Sequence, residues 1–366
     1  MQMWFKPAHT GALSTPSILL FPDRIEENIQ RMIGIAGDAG RLRPHVKTHK
    51  IPEIVKIQMQ LGIRRFKCAT LAEVEMVAGA GGSDILLAYP LLGPGIGIWS
   101  DLMDRFPECR LSVTVDSEAA LSFLEKASGS SGRQLELLVD IDNGMHRTGI
   151  DPGKALNLIQ SIAANKAFIF KGLHIYDGHI HERDPLQRKV KCERDFEAVD
   201  RLVGQLEQEG IAVRELACGG TPTFPVHALH PERTLCPGTP LLWDAGYSQS
   251  FPDLDFLPAA VLAGRVISKA GQRLCLDLGH KALASEMNHP RLQFLELEPG
   301  SVINHSEEHL VIACPDAEDH AIGELVYALP MHICPTMALH EKVYVVRDGE
   351  VTGTWDVIAR KRKYTF

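Results

Sequence analysis

Three titratable side chains stand at alternate positions in Arg43-Pro44-His45-Val46-Lys47-Thr48-His49-Lys50. In an extended segment residues i and i+2 share a face, so His45, Lys47 and His49 point one way and Val46 and Thr48 the other. A lysine held near a core loses its proton more readily than one in water. Its neutral amine can then form a Schiff base with a carbonyl. A basic surface turn, with Lys and His facing water, is the competing reading, and the octapeptide alone does not separate the two.

Other stretches rich in reactive side chains follow apolar runs. Asp142-Asn143-Gly144-Met145-His146-Arg147-Thr148-Gly149 comes after 134–141, and Arg147 there is placed to hold an anionic oxygen. A solvated loop arginine is the plainer alternative. His174-Ile175-Tyr176-Asp177-Gly178-His179-Ile180-His181 gathers more polar side chains behind 168–175 than a turn needs. Cys218-Gly219-Gly220-Thr221-Pro222-Thr223 follows 213–217. Paired glycines let backbone N–H groups approach a phosphate, and threonine hydroxyls add bonds, although a Gly pair by itself is usually only a turn.

In Pro330-Met331-His332-Ile333-Cys334-Pro335-Thr336 the residues His332 and Cys334 are spaced i, i+2. Pro335 biases Cys334 toward extended backbone. Both side chains would then face one way, an imidazole and a thiolate suited to Zn2+. Two ligands are too few for a closed structural site, whereas an open coordination sphere suits catalysis. A buried Cys beside a hydrogen-bonded His is the simpler reading of this motif alone. Polar clusters at 276–282 and 306–309 have spacings that assign them no role.

The elements that must position these groups alternate. Strand-like runs lie at 17–20, 42–47, 65–69, 84–88, 110–115, 134–141, 168–175, 213–217 and 233–235. Helical stretches fall between them: 23–39, with Ile25, Ile29, Met32 and Ile33 on one face, then 71–80 and the long charged 185–208. Repeated β-α units imply a parallel sheet covered by helices. The nine runs predict a (β/α)8 TIM-type barrel plus one extra strand, and an open doubly wound sheet fits the alternation as well. In a barrel, catalytic residues gather at the strand C-terminal ends and phosphate sites come from late strands. Lys47, Arg147, Tyr176 and the glycine pair all fall on that rim. After Tyr247 short runs at 261–268, 273–278, 301–304, 310–313, 324–328 and 342–347 are separated by Gly, Pro, Asp and His. They predict an all-β C-terminal domain. The fold class is therefore α/β, a barrel over 21–245 followed by a β domain over 246–366.

A length of 366 residues suffices for two domains. A net charge of −8 argues against a general nucleic-acid binder. No apolar run reaches the roughly 20 residues of a membrane span. The N-terminus, Met1-Gln2-Met3-Trp4-Phe5-Lys6, lacks the charged-then-apolar pattern of a signal peptide. Eight cysteines (68, 109, 192, 218, 236, 275, 314 and 334) are scattered singly with no CxxC, as expected for reduced thiols in a cytoplasmic protein. The small-residue stretch 127–132 reads as a loop.

Taken in order, RPHVKTHK at 43–50, NGMHRTG at 143–149, HIYDGH at 174–179, GGTPT at 219–223, LDLGHKAL at 276–283, SEEH at 306–309 and HICPT at 332–336 cover nearly the whole chain. Together they resemble the D-serine dehydratase and D-threonine aldolase family, fold-type III pyridoxal-phosphate enzymes of the alanine racemase class. The resemblance implies pyridoxal 5'-phosphate held by Lys47, with Arg147 near its phenolic oxygen. Tyr176 would line the cofactor pocket, and Gly220 and Thr221 would bind the phosphate. It places a divalent metal on His332 and Cys334, beside the substrate hydroxyl. It further implies a homodimer, and that residues 1–20 join the β domain, leaving eight strands for the barrel. One departure stands in CPGTPLLWD at 236–244, where Pro240 replaces the family's aromatic.

The expected substrate is a D-amino acid with a β-hydroxyl. Dehydratases of the family are expected to carry His-x-Cys and aldolases His-x-Asp, so Cys334 points to elimination, giving a 2-oxo acid and ammonia. A thiolate also favours Zn2+ over the harder Mn2+ or Mg2+. Lys47 would take the Cα proton as general base, and the metal would act as Lewis acid on the hydroxyl. In the alternative aldolase reaction His179 is the candidate base, and the products are glycine and an aldehyde. Further alternatives are a metal-independent racemase, a non-catalytic pyridoxal-phosphate carrier, and a metal-dependent barrel hydrolase using His179 and His181.

Overall fold

The computed structural model describes residues 3–131, 133–362 and 364. Met1 and Gln2, part of the N-terminal reading, and Gly132, part of the expected loop, lie outside the described residues. The chain divides into two compact units. One comprises Met1–Ile29, Thr48–Ile51 and Thr239–Arg360; the other comprises Gln30–Lys47, Pro52–Gly238 and Lys361–Phe366.

The strands run β1 (Ser17–Leu20), β2 (Arg65–Cys68), β3 (Asp84–Leu87), β4 (Arg110–Val115), β5 (Leu135–Ile141), β6 (Phe168–Ile175), β7 (Glu215–Cys218) and β8 (Arg233–Leu235). They continue as β9 (Ala260–Lys269), β10 (Arg273–Leu276), β11 (Leu292–Phe294), β12 (Val302–His305), β13 (Leu310–Ala313), β14 (Leu325–Pro330), β15 (Lys342–Arg347) and β16 (Glu350–Asp356).

In the second unit β2 to β8 form one parallel sheet in sequence order, with helices in the connections. Helix Leu71–Gly79 starts where Thr70 accepts from Glu73 N, satisfying one of the free N–H groups of the first turn. Helix Pro185–Gln208 has Pro185 in its first turn and Asp184 accepting from Leu186 N and Gln187 N, a strong start signal. The sheet's two edges are joined. Leu42 bridges Leu235 of β8 and His45 bridges Lys67 of β2, with Arg43 N donating to Leu235 O at 2.8 Å and Lys67 N to Pro44 O at 3.0 Å. An irregular eighth segment thus closes the barrel. Leu86 of β3, Leu138 of β5 and Ala217 of β7 pack with Cys236 inside it, the layer from alternate strands that fills such barrels.

The expected strand over 42–47 is only partly formed. Pro44 has no N–H for the ladder, and Val46–Thr48 turns into a 3-10 helix. The alternate-face argument therefore fails at Lys47, which sits on this turn. Below it Arg43 is fully buried. Its Nε lies 2.7 Å from Glu215 Oε1 and its Nη2 2.8 Å from Asp84 Oδ1, so the irregular segment is pinned to the starts of β3 and β7. Burial works against the Arg43 charge, but Glu215 and Asp84 outweigh it and hold the guanidinium protonated.

In the first unit β9 pairs with β1, β10 and β14, β1 also pairs in parallel with β15, and β16 and β12 lie at the ends of the strand path. Phe5, Leu19, Phe21, Val261, Tyr327 and Val346 are among its core. Features here not expected from sequence include β11, β16, and helix Ile333–Leu339 directly after His332. Pro335 falls in that helix's first turn, where a missing N–H costs nothing. Helix Glu118–Ser131 likewise continues through most of the stretch read as a loop.

Candidate active site

In the barrel unit, the rim loops bring several of the singled-out residues around one ring, Tyr176, just after β6. Arg147 Cζ lies 4.8 Å from the ring centroid, Lys47 Nζ 5.8 Å and Lys67 Nζ 5.5 Å. A Cβ on Gly220 would stand 3.1 Å from Tyr176 Cε2, so the β7 loop passes close against the ring. Thr221 is buried, and its Oγ1 accepts from Gly238 N at 3.3 Å. Lys47, Arg147, Tyr176, Gly220 and Thr221 thus share one neighbourhood. Gly220 N donates to Thr223 Oγ1 at 3.2 Å, so its own N–H is engaged within the loop.

The arginine loop is held from below. Asp142 Oδ1 accepts from Gly144 N and His146 N, and Thr148 Oγ1 donates to Asp140 Oδ2 at 2.8 Å. Asp140 Oδ1 also takes the Nδ1 proton of buried His174 at 2.6 Å. Burial alone would raise the Asp140 carboxyl, but His174 and Thr148 hold it below the ordinary value. Burial, with Lys67 nearby, pushes the His174 imidazole down. Its Nε2 is then a lone pair, buried and without a partner.

Lys67 was missed from sequence. Buried on β2 between Phe66 and Cys68, its ammonium is pushed down by desolvation and by Lys47, against the nearby thiol and carboxylates. The available signal was a lysine set between Phe66 and Cys68 inside a short strand, past the arginine that begins it. His45 and His49 spend their Nδ1 atoms locally, accepting from Lys47 N at 3.3 Å and Ile51 N at 3.1 Å. His179 Nε2 pairs with Asp195 Oδ2 at 3.0 Å, whereas His181 is exposed.

These groups fit pyridoxal phosphate: a lysine amine, cations converging for an anionic group, glycines allowing close approach, and an orphaned imidazole nitrogen in the same β-strand that leads to Tyr176.

In the β unit, His332 and Cys334 sit at the start of helix Ile333–Leu339, not on an extended strand. His332 is its N-cap, and Asp244 Oδ2 accepts from Ile333 N at 3.0 Å. Asp244, also unrecognised from sequence, is raised to about 6 by burial. His332 Nδ1 lies 2.6 Å from Glu286 Oε1. The Cys334 thiol donates to Thr48 Oγ1 at 3.3 Å and has Thr239 Oγ1 at 3.9 Å. Burial would lower the His332 pKa, but Cys334 and Glu286 lift it to about 9. An imidazole oriented by a carboxylate, beside a thiol, is a donor set that fits a divalent metal.

Two family models divide the chain: alanine racemase, N-terminal domain, over residues 22–241, and a putative serine dehydratase domain over 259–346. The chain is 31% identical to a D-threonine aldolase of Arthrobacter sp., over 97% of this chain and 96% of the relative. It is 29% identical to a D-threo-3-hydroxyaspartate dehydratase of Delftia sp., over 94% and 97%. The crystal structure of D-threonine aldolase from Filomicrobium marinum superposes with a TM-score of 0.89 at 28% identity, covering 96% of each chain. The barrel with its lysine turn and glycine loop, the β unit with its His-x-Cys, and likeness over nearly the full length lead to one conclusion: the chain belongs to the D-serine dehydratase and D-threonine aldolase family of pyridoxal-phosphate enzymes.

Proposed function

We propose that this lyase of D-β-hydroxy amino acids works by elimination, converting its substrate to a 2-oxo acid and ammonia with a divalent metal, Zn2+, on His332 and Cys334. Its homologues are lyases of both kinds, aldolases and dehydratases. The single observation that carries elimination is Cys334 beside a carboxylate-oriented His332. When bound, pyridoxal phosphate supplies an electron sink for bonds broken at Cα. Lys47 would hold it through Nζ, and the same amine would serve as the base that takes the Cα proton. Arg147 would hold the cofactor's anionic oxygen, Tyr176 would line its pocket, and Gly220 and Thr221 would bind its phosphate. A divalent ion on His332 and Cys334 would supply Lewis acidity toward the β-hydroxyl, and a thiolate ligand favours Zn2+ over Mn2+ or Mg2+. The working assembly is a homodimer.

A second reading, retro-aldol cleavage to glycine and an aldehyde, is supported by the 31% identity to a D-threonine aldolase and by His179, held by Asp195 as a base needs to be. A panel of D-serine, D-threonine and D-threo-3-hydroxyaspartate, assayed with Zn2+ and with a chelator, separates the two. Ammonia and a 2-oxo acid, lost on chelation, are expected. Glycine and acetaldehyde from D-threonine with no ammonia would replace elimination by the aldolase reaction. Turnover unaffected by chelation would remove the metal from the scheme.

A further inference from the structure

HIYDGH contains an aspartate that the reaction above does not use. Asp177 follows Tyr176, is 1% exposed, and meets His227, 0% exposed, from the short helix Phe224–His227. His227 Nε2 lies 2.7 Å from Asp177 Oδ2, and its Nδ1 lies 3.1 Å from Arg233 Nη1. A guanidinium is only a donor, so Nδ1 accepts, and the imidazole proton sits on Nε2 and is donated to Asp177. Arg233, 2% exposed, packs its guanidinium 3.6 Å from the Phe196 ring centroid.

The other carboxylate oxygen leads to the glycine loop. Thr223 Oγ1 donates to Asp177 Oδ1 at 2.7 Å and accepts from Gly220 N at 3.2 Å. Gly219 has φ 77°, and a Cβ there would stand 2.6 Å from His227 Cδ2, so the loop lies directly on the imidazole. Burial alone would raise the Asp177 carboxyl, but His227 and the Thr223 hydroxyl hold it below the ordinary value.

Asp177, Cys192 and His227 are also near enough to share a cation. Their polar atoms are already committed, however: Arg233 occupies His227 Nδ1, and burial keeps the Cys192 thiol protonated as it donates to Asp177 Oδ2 at 3.7 Å.

We propose that Arg233, His227, Asp177 and Thr223 form a buried hydrogen-bonded brace that sets the position of the 219–221 loop and thereby the protein's grip on the cofactor's phosphate group. The proposal rests on the reading of that loop as the phosphate site. These are positioning residues: none needs to touch the reacting atoms. Buried networks of this kind depend on every partner, because removing one strands the next without a bond.

The test titrates the full chain, stripped of cofactor with hydroxylamine, with pyridoxal phosphate and with pyridoxal, which lacks the phosphate. Asp177→Asn and Thr223→Val are expected to weaken pyridoxal-phosphate binding about 10-fold or more and to leave pyridoxal binding within about 2-fold, the scale of hydrogen bonds to charged groups. Thr223→Ser, which keeps the hydroxyl, restores the affinity. Unchanged pyridoxal-phosphate affinity in Thr223→Val, or equal weakening of both ligands, overturns the brace. Thr223→Val removes one hydroxyl at nearly constant volume and carries the test should Asp177→Asn not fold. A wild-type chain that binds both ligands equally overturns the phosphate reading of the loop itself, an outcome distinct from failure of the brace alone.

Discussion

Glu286 Oε1 lies 2.6 Å from His332 Nδ1, across 46 residues of sequence. The carboxylate accepts the Nδ1 proton, which leaves Nε2 as the nitrogen that a metal would take on displacing its proton, the arrangement that orients metal-binding histidines. Glu286→Gln is therefore expected to weaken Zn2+ binding about 10- to 100-fold, read by competition with a chromogenic chelator. An affinity equal to wild type would detach Glu286 from the metal.

Two lysines flank Tyr176 at similar distance, Lys47 at 5.8 Å and Lys67 at 5.5 Å. Borohydride reduction after loading with pyridoxal phosphate is expected to leave the adduct on Lys47 alone. Lys47→Ala should lose both the adduct and the visible absorbance, and Lys67→Met should retain the adduct. An adduct mapped to Lys67 by peptide mass spectrometry would exchange their roles.

Arg43 is wholly buried between Glu215 and Asp84. Arg43→Met keeps bulk but strips these carboxylates of their buried partner, leaving Lys171 at 3.3 Å from Asp84 and 3.7 Å from Glu215 and the more exposed Arg65 and Arg110 at their edges. Breaking one side of a buried charge cluster costs about 3–5 kcal/mol. Urea unfolding should show a loss on that scale; a loss within about 0.5 kcal/mol, typical of an ordinary surface site, would count against a structural role.

His49 is fully buried, and desolvation lowers its pKa to about 3 from the ordinary 6.5 of an imidazole. Below pH 6.5 the unfolded chain takes up a proton that the folded chain refuses until about pH 3. The folded state therefore loses stability as pH falls through that window, by at most about 1.4 kcal/mol per pH unit from this group. Urea midpoints of wild type and His49→Gln, compared from pH 7 to pH 4, should converge or cross as the pH drops, because the variant lacks this term. A difference between them that is constant with pH would rule the effect out.

Local chemistry wrote much of this fold into the sequence. Asp184 before Pro185 and Thr70 before Glu73 start helices by satisfying N–H groups within a few residues, and the alternation of apolar runs with such helices is the signature of a barrel. The helix Ile333–Leu339 escaped notice because its proline fits a first turn as readily as an extended strand. The turn at Lys47 escaped because Pro44 interrupts a run that otherwise reads as strand.

The motif residues and their order were determined by the sequence alone, and with them the family and the lysine expected to carry the cofactor. Only the tertiary structure decided what surrounds them. Lys67 reaches the Tyr176 ring, Arg43 leaves the reactive octapeptide to lock the barrel floor, and Asp177 meets His227 across 50 residues. Patterning of period 2 or 3.6 reports which side of an element is buried. Which groups converge inside is set by the closing of the ring through Leu42 and His45, a non-local pairing that no short window of sequence contains.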